Sequence, residues 1–155
     1  MTEATTEEIR KSVIINASPV IVFRALIDET ELTQWFSNER TVLESQVGGA
    51  WMLKNCRSGT GEIRTMRGKI LEIVQDKKLS STWNVDEYPD IPATIVTWTL
   101  EPLYRGRSSE IMLVHSDLVN DIDDASSNWS YIVGRLAEHC EEKQQSLGLP
   151  QPMLK

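Results

Sequence analysis

Trp129-Ser130-Tyr131-Ile132-Val133-Gly134-Arg135-Leu136-Ala137-Glu138-His139-Cys140 is the stretch on which the fold turns. Trp129, Val133, Leu136 and Cys140 follow one another at intervals of four, three and four residues, so they share one face of an α-helix. Asp121, Asp123 and Asp124 put negative charge where a helix N-terminus favours it, and Gly148 and Pro150 stop the helix. The result is an amphipathic terminal helix of about four to five turns. It needs an apolar surface to cover, and the residues before it supply one.

From Thr41 to about His115 the signals are strands and turns. Gly48-Gly49 has the composition of a two-residue hairpin turn. Gly59 and Gly61 mark another turn, and Ile63 to Val74 reads as a long strand with a bulge or bend at Gly68. Asp76-Lys77-Lys78 is a polar turn, Pro89 and Pro92 bracket a loop, and Arg105-Gly106-Arg107 turns the chain again. Val96, Trp98 and Leu100 alternate with Ile95, Thr97 and Thr99 on one strand, and Ile111, Leu113 and His115 alternate with Met112, Val114 and Ser116 on the next. Upstream, Ile9, Lys11, Val13 and Ile15 alternate as a first strand. Ser18-Pro19 then opens a short helix over Val20 to Leu26, with Val20, Phe23 and Ile27 as its apolar face. Thr30 is placed to cap a second short helix, Glu31 to Phe36.

Strands joined by tight turns pair antiparallel, because parallel pairs need long crossovers. An α+β fold follows: a curved antiparallel sheet of about seven strands wrapped around a long C-terminal helix, with two short helices after the first strand. Residues 9–147 form this single domain, flanked by tails at 1–8 and 148–155. A chain of 155 residues that is 40% hydrophobic buries roughly 70% of its unfolded surface.

A net charge of −7 argues against nucleic acid or an anionic membrane as partner, since both require clustered Lys and Arg. The densest basic group, Arg57, Arg64, Arg67 and Lys69, is interrupted by Glu62 and apolar residues and reads as a solvated strand face. No run approaches the ~18 apolar residues of a membrane span, and the acidic first residues do not form a signal peptide, so a cytoplasmic location is expected. The matches Asn16-Ala17-Ser18 and Asn128-Trp129-Ser130 to the glycosylation pattern are then fortuitous. Cys140 falls on the apolar helical stripe, while Cys56, beside a turn, is expected to be exposed; both are expected as reduced thiols.

The spacings that carry catalysis or metal binding are missing. There is no H-E-x-x-H, C-x-x-C, G-x-S-x-G or P-loop, and no cofactor or metal is expected. Gly59-Thr60-Gly61 lies between strands and reads as a turn rather than a dinucleotide loop. Asp117, Asp121, Asp123 and Asp124 lack the donor pattern of a calcium loop. His139 sits among polar helical residues and reads as solvated. His115 shares the inward strand face with Ile111 and Leu113. It reads first as a core histidine bonded to a backbone carbonyl or to Ser116, and second as a general acid or base near neutral pH.

Tryptophan is the informative residue. Trp35, Trp51, Trp83, Trp98 and Trp129 come from five different elements, and burying each contributes on the order of 4–6 kcal/mol as an upper estimate. They are therefore expected to converge on one interior, where large flat side chains on a curved sheet either fill the core or leave a gap for a flat apolar ligand.

These residues also carry a resemblance. The segments are Val13-Ile14-Ile15-Asn16-Ala17-Ser18-Pro19, Val22-Phe23-Arg24-Ala25-Leu26, Leu32-Thr33-Gln34-Trp35-Phe36, Val47-Gly48-Gly49-Ala50-Trp51, Gly68-Lys69-Ile70-Leu71-Glu72-Ile73, Leu79-Ser80-Ser81-Thr82-Trp83, Val96-Thr97-Trp98-Thr99-Leu100-Glu101-Pro102, Leu113-Val114-His115-Ser116 and Asn128-Trp129. In that order they resemble domains similar to the activator of heat-shock protein 90 ATPase, within the START-like, birch-pollen-allergen superfamily of helix-grip folds. The resemblance spans about residues 9 to 142 and departs at Asp117, where the family commonly has Gly. It implies an apolar cavity between the sheet and the long helix. Relatives in the superfamily bind lipids, sterols, polyketides or plant hormones, and a few are cyclases; no shared catalytic set carries over.

The leading expectation is a binding protein for a small, largely apolar molecule, lipid-like or aromatic. Its cavity would be lined by Trp35, Phe36, Trp51, Trp83, Trp98, Leu113, His115, Trp129, Val133 and Leu136. The second is a module that docks on a heat-shock protein 90-type chaperone in a stress response. In the family's eukaryotic namesake a separate domain, not matched in this sequence, precedes it and makes the chaperone contact. The third is a cyclase- or hydrolase-type enzyme using His115.

Overall fold

A computed structural model of the protein describes residues 7–36, 41–57, 63–118 and 122–147. The elements run β1 (Glu7–Ile15), α1 (Pro19–Ile27), α2 (Glu29–Trp35), β2 (Thr41–Leu43), β3 (Ala50–Arg57), β4 (Ile63–Val74), β5 (Lys78–Val85), β6 (Thr94–Leu103), β7 (Ser108–Leu118) and α3 (Ile122–Ser146). This is the expected order of strand, two short helices, six strands and long helix. The strands form one antiparallel sheet in the order β1-β7-β6-β5-β4-β3-β2, so the first and last strands of the chain are neighbours. The alternations in the sequence are met by the burial. Ile9 and Ile15 on β1, Val96, Trp98 and Leu100 on β6, and Ile111, Leu113 and His115 on β7 all face inward.

α3 covers that inner face with Trp129, Ile132, Val133, Leu136, Cys140 and Gln144, all buried. At 25 residues it is about seven turns long, longer than the four to five read from the apolar stripe. The stripe stops at Cys140, but Gln144 continues the same face with a buried polar side chain. Its Oε1 accepts from the Ser18 amide at 2.7 Å, and its Nε2 donates to the Arg107 carbonyl at 2.9 Å.

Several local expectations are corrected. α1 starts at Pro19 after the Ser18 cap as expected, but its buried face is Ile21, Val22, Phe23, Ala25 and Leu26, and Val20 is exposed. The cap of α2 is Asp28, whose carboxylate accepts from the Glu31 amide at 3.0 Å, so the helix begins at Glu29 rather than after Thr30. A carboxylate is a stronger acceptor for free helix amides than a hydroxyl, and its charge suits the helix N-terminus. Gly48-Gly49 is not a two-residue turn. A six-residue connection joins β2 to β3, with the Gly49 amide bonded to the Gln46 carbonyl and Gly48 at φ +82° as the third position of the turn. At Gly49 a side chain would collide with the Glu44 carbonyl.

Cys56 is buried, not exposed. A register irregularity between Leu53 and Cys56 advances the strand by one residue, which brings position 56 onto the inward face of Trp51 and Leu53. Both cysteines are free thiols. In β4 the irregularity lies between Ile70 and Glu72 rather than at Gly68. The turn expected at Gly59 and Gly61, and Asp121 with its neighbours at the start of α3, lie outside the described residues and side chains.

Candidate ligand site

All five tryptophans meet in one interior, and Trp83 is the hub. Its ring centroid lies 4.7 Å from Trp51, 5.4 Å from Trp129, 6.1 Å from Phe36 and 6.3 Å from His115. Trp35 joins through Phe36 at 5.0 Å, and Trp98 through Trp129 at 5.8 Å with edge-to-face geometry. Tilted and edge-on contacts at these distances are the favourable arrangements for aromatic rings.

Gly68 makes the Trp51–Trp83 contact possible. Trp51 on β3 is paired with Gly68 on β4, and the neighbouring pair Arg67–Asn84 places Trp83 across from Gly68 on β5. Two strands on either side of a third stand nearly 10 Å apart. Their indoles close that distance only because the position between them has no side chain. A Cβ there would meet the Thr82 carbonyl and would lie 2.9 Å from Trp51 Nε1.

On one side of this cluster lies a cavity of about 40 Å³. α1 and α2 roof it with Leu26, Leu32, Trp35 and the following Phe36; the sheet floors it with Leu53, Ile70, Leu79 and Ser81; Trp51 and Trp98 close its sides. Phe36, Leu43 and Trp83, all half-buried, form its mouth. The volume holds on the order of three water molecules. Of the ten residues expected around a cavity, Trp35, Phe36, Trp51, Trp83 and Trp98 border this one. Leu113, His115, Trp129, Val133 and Leu136 do not. They are buried behind Trp83 and Trp98, where α3 is packed onto the sheet. The space is therefore roofed by the α1–α2 pair and not by the long helix. Ser81 was a readable member of the site, because Leu79, Ser81 and Trp83 alternate on one strand face.

His115 is committed on both nitrogens. The Trp129 indole N–H, which can only donate, points at Nδ1 at 2.7 Å, so Nδ1 carries a lone pair. The proton then sits on Nε2, which donates to Thr94 Oγ1 at 2.7 Å, and the Thr94 hydroxyl donates in turn to the Trp83 carbonyl at 3.2 Å. Burial pushes the imidazole pKa down to about 4. The partners are thus Thr94 and Trp129 rather than a carbonyl or Ser116, and acid–base chemistry at this ring would first have to break one of these bonds. His139 is not solvated. Its side chain is 12% exposed and bonds Glu31 at 2.9 Å, and Arg24 approaches the same carboxylate at 3.3 Å. In the basic group on β4, Arg67 forms a two-pronged pair with Asp86 at 2.7 and 2.6 Å, and Arg64 stacks over Tyr88 at 5.0 Å.

Trp51 contrasts with the other indoles whose bonds are clear. Trp35 Nε1 donates to the Ala25 carbonyl at 2.9 Å and Trp129 Nε1 to His115. Trp51 is 5% exposed, and its Nε1 is buried with no acceptor among the described residues.

A curved antiparallel sheet gripping a C-terminal helix, with two short helices between its first two strands in sequence, makes this a helix-grip protein of the START-like, birch-pollen-allergen class. Within that class the chain belongs to the family described as Activator of Hsp90 ATPase homolog 1-like protein, which it matches over residues 16–141. A crystal structure of a Chromobacterium violaceum protein is 25% identical, with a TM-score of 0.71 over 86% of this chain and 97% of that one. The Aha1 dimer of Colwellia psychrerythraea is 18% identical, with a TM-score of 0.70 over 87% and 96%. An HSP90 activator from Plasmodium falciparum is 16% identical, with a TM-score of 0.64 over 93% and 98%. At such identities the last two establish the shared fold alone. No curated protein matches the sequence. Among the described residues, no helix is long and apolar enough to cross a membrane, and no cluster of His, Cys, Asp and Glu has the makings of a metal site.

Proposed function

We propose that the protein is a cytoplasmic binder of a small, flat, largely apolar molecule, which it takes up between the α1–α2 pair and the sheet. The observation that carries this reading is the aromatic-walled cavity with Phe36, Leu43 and Trp83 at its mouth. The space as it stands admits only solvent-sized guests, so a ring enters by displacing Phe36, which follows the last turn of α2 and is half-buried. The walls then offer ring faces from Trp35, Trp51 and Trp83, with Ser81 as a polar group on the floor. The test is a panel of one- and two-ring aromatic compounds and short lipids added to the full chain. Binding should quench tryptophan emission and raise the melting temperature, by about 2.7 kcal/mol of added stability at a ligand concentration of one hundred times Kd. No response across the panel removes the reading.

Membership of the family supports a second reading, in which a heat-shock protein 90-type chaperone docks on the outer surface in a stress response. It requires that the purified chain raise the chaperone's ATPase rate. An unchanged rate together with separate elution of the two proteins rejects it.

A further inference from the structure

Ser81 is the exception among the buried hydroxyls of the described residues. Thr41, Ser80, Thr94, Ser108 and Ser109 are buried too, and each is bonded, to Thr33, Thr97, His115, Asn16 and the Ala17 carbonyl in turn. Ser81 is 8% exposed, and its hydroxyl has no hydrogen-bond partner among the described residues. Buried polar groups are seldom left so. The sheet fixes where this one faces. On β5, Ser81 lies between Leu79 and Trp83 in the inward alternation, and it is paired with Ile70 on β4 and Val96 on β6, both buried. Leu79, Ser81, Trp83 and Ile70 all line the cavity. Unlike Trp51 Nε1, which is wholly buried, Ser81 Oγ keeps accessible surface, and the space on its side of the sheet is the cavity. Of the described residues on the wall, Ser81 alone is neither aliphatic nor aromatic, and none is ionisable.

We infer that Ser81 Oγ is the specificity-determining group of this site, and that the ligand is a neutral aromatic molecule with one hydrogen-bonding substituent, of which a phenol is the simplest case. This rests on the ligand-binding reading above and sharpens it. Water serves the hydroxyl poorly, because a buried water typically makes about three hydrogen bonds and the wall offers it a single hydroxyl. An apolar ring alone would cover Oγ and leave it unpaired. A ring with one oxygen meets it, and a serine hydroxyl can give or take that bond. A site built to hydrogen-bond its ligand discriminates against the analogue that cannot. An ionised ring compound would bury a charge with nothing to pair it, so the ligand is neutral.

A double comparison tests it. Phenol and toluene have nearly the same shape and differ in OH against CH3. Each is titrated by NMR into the full chain and into Ser81→Ala, which removes the hydroxyl and little volume. The affinity for phenol relative to toluene should fall about tenfold in Ser81→Ala, the range of one neutral hydrogen bond. Without ligand, the variant should melt within a few degrees of the unmodified protein, because the lost hydroxyl had no partner. Benzoate, ionised at neutral pH, should bind far more weakly than phenol. Three results overturn the inference and leave the binding reading standing: an affinity ratio that is the same in both proteins; a fall in melting temperature beyond about 4 °C, the size a lost hydrogen bond gives in a chain of this length; or benzoate bound as tightly as phenol. Binding of neither phenol nor toluene overturns both.

Discussion

At its C-terminal end α3 is held by polar side chains that reach backbone. Glu141 accepts from the Asn16 amide at 3.0 Å, and Gln144 bridges the Ser18 amide and the Arg107 carbonyl. Alongside them, Ser109 on β7 donates to the Ala17 carbonyl at 2.8 Å. Cys140 lies fully buried next to this clasp, its thiol pushed above the usual range by burial and then by the Glu31 and Glu141 carboxylates. In its N-terminal half the same helix offers Trp129 to an aromatic cluster that borders a cavity and contains an unpartnered N–H. One end spends buried polarity on fixing the chain; the other spends ring surface on a space that is not filled. These bonds tie the end of α3 to the entry of α1 and to the β6–β7 connection, whereas the cavity lies away from them.

The largest expected effect comes from removing the hub of the aromatic end. Trp83→Ala takes away ring contacts to four neighbours, and truncations of this kind cost about 3–5 kcal/mol. Urea unfolding should show it as a lowered midpoint. A loss below about 1 kcal/mol would mean that this end adds little to cooperative stability, and the contrast with the clasp would then be one of order against disorder.

The next test is pH. The His115 imidazole has a folded pKa of about 4 against 6.5 for the free side chain. The unfolded chain therefore binds the proton more tightly between those values. The stabilisation is complete above pH 6.5 and is lost as the pH falls toward 4, by about 3 kcal/mol. Protonation would set an N–H on Nδ1 against the Trp129 N–H, so the aromatic end should loosen first. Monitoring Trp129 and Asn16 amide exchange at pH 7 and pH 5 checks this. Equal loss of protection at both ends would break the comparison, and His115→Gln should flatten the acid slope.

At the clasp, Gln144→Leu keeps the volume but leaves the Ser18 amide and the Arg107 carbonyl without their partner, at a cost of about 2–3 kcal/mol. Binding at the aromatic end should be unchanged, because Gln144 does not border the cavity. A parallel fall in ligand affinity would show that the two ends are coupled through α3.

How much of this was legible follows the physics of periodicity. β1, β6 and β7 set their buried residues at alternate positions, and a period of two fixes them from the sequence alone. The core stripe of α3 was legible for the same reason up to Cys140, but Gln144 was not, because a buried amide looks like any surface residue until its partners are known. Val20-Ile21-Val22 has three branched residues in a row, so the pattern could not say which one faces out. Cys56 was misplaced because a bulge changes the phase of its strand, and bulges leave little trace in composition. The tryptophans were expected to converge on size alone. Which helices would leave the gap was not readable, since it depends on how Trp83, Trp98 and Trp129 fill the volume under α3 and on one absent side chain at Gly68.

The smallest expected effect sits where β7 leads toward α3. Asp117 has a φ of +64°, the left-handed region that a glycine enters freely and most other residues enter at a cost of roughly 1–2 kcal/mol. The backbone here has the conformation that glycine serves. Asp is among the more tolerant residues there, and glycine gives up more freedom on folding, so the two effects partly cancel. Asp117→Gly should therefore stabilise by somewhat less than about 1 kcal/mol, seen as a small rise in the melting temperature. A fall instead would mean that the carboxylate makes a stabilising contact at the entrance to α3, a polar fastening of the aromatic end in addition to the Trp129–His115 bond.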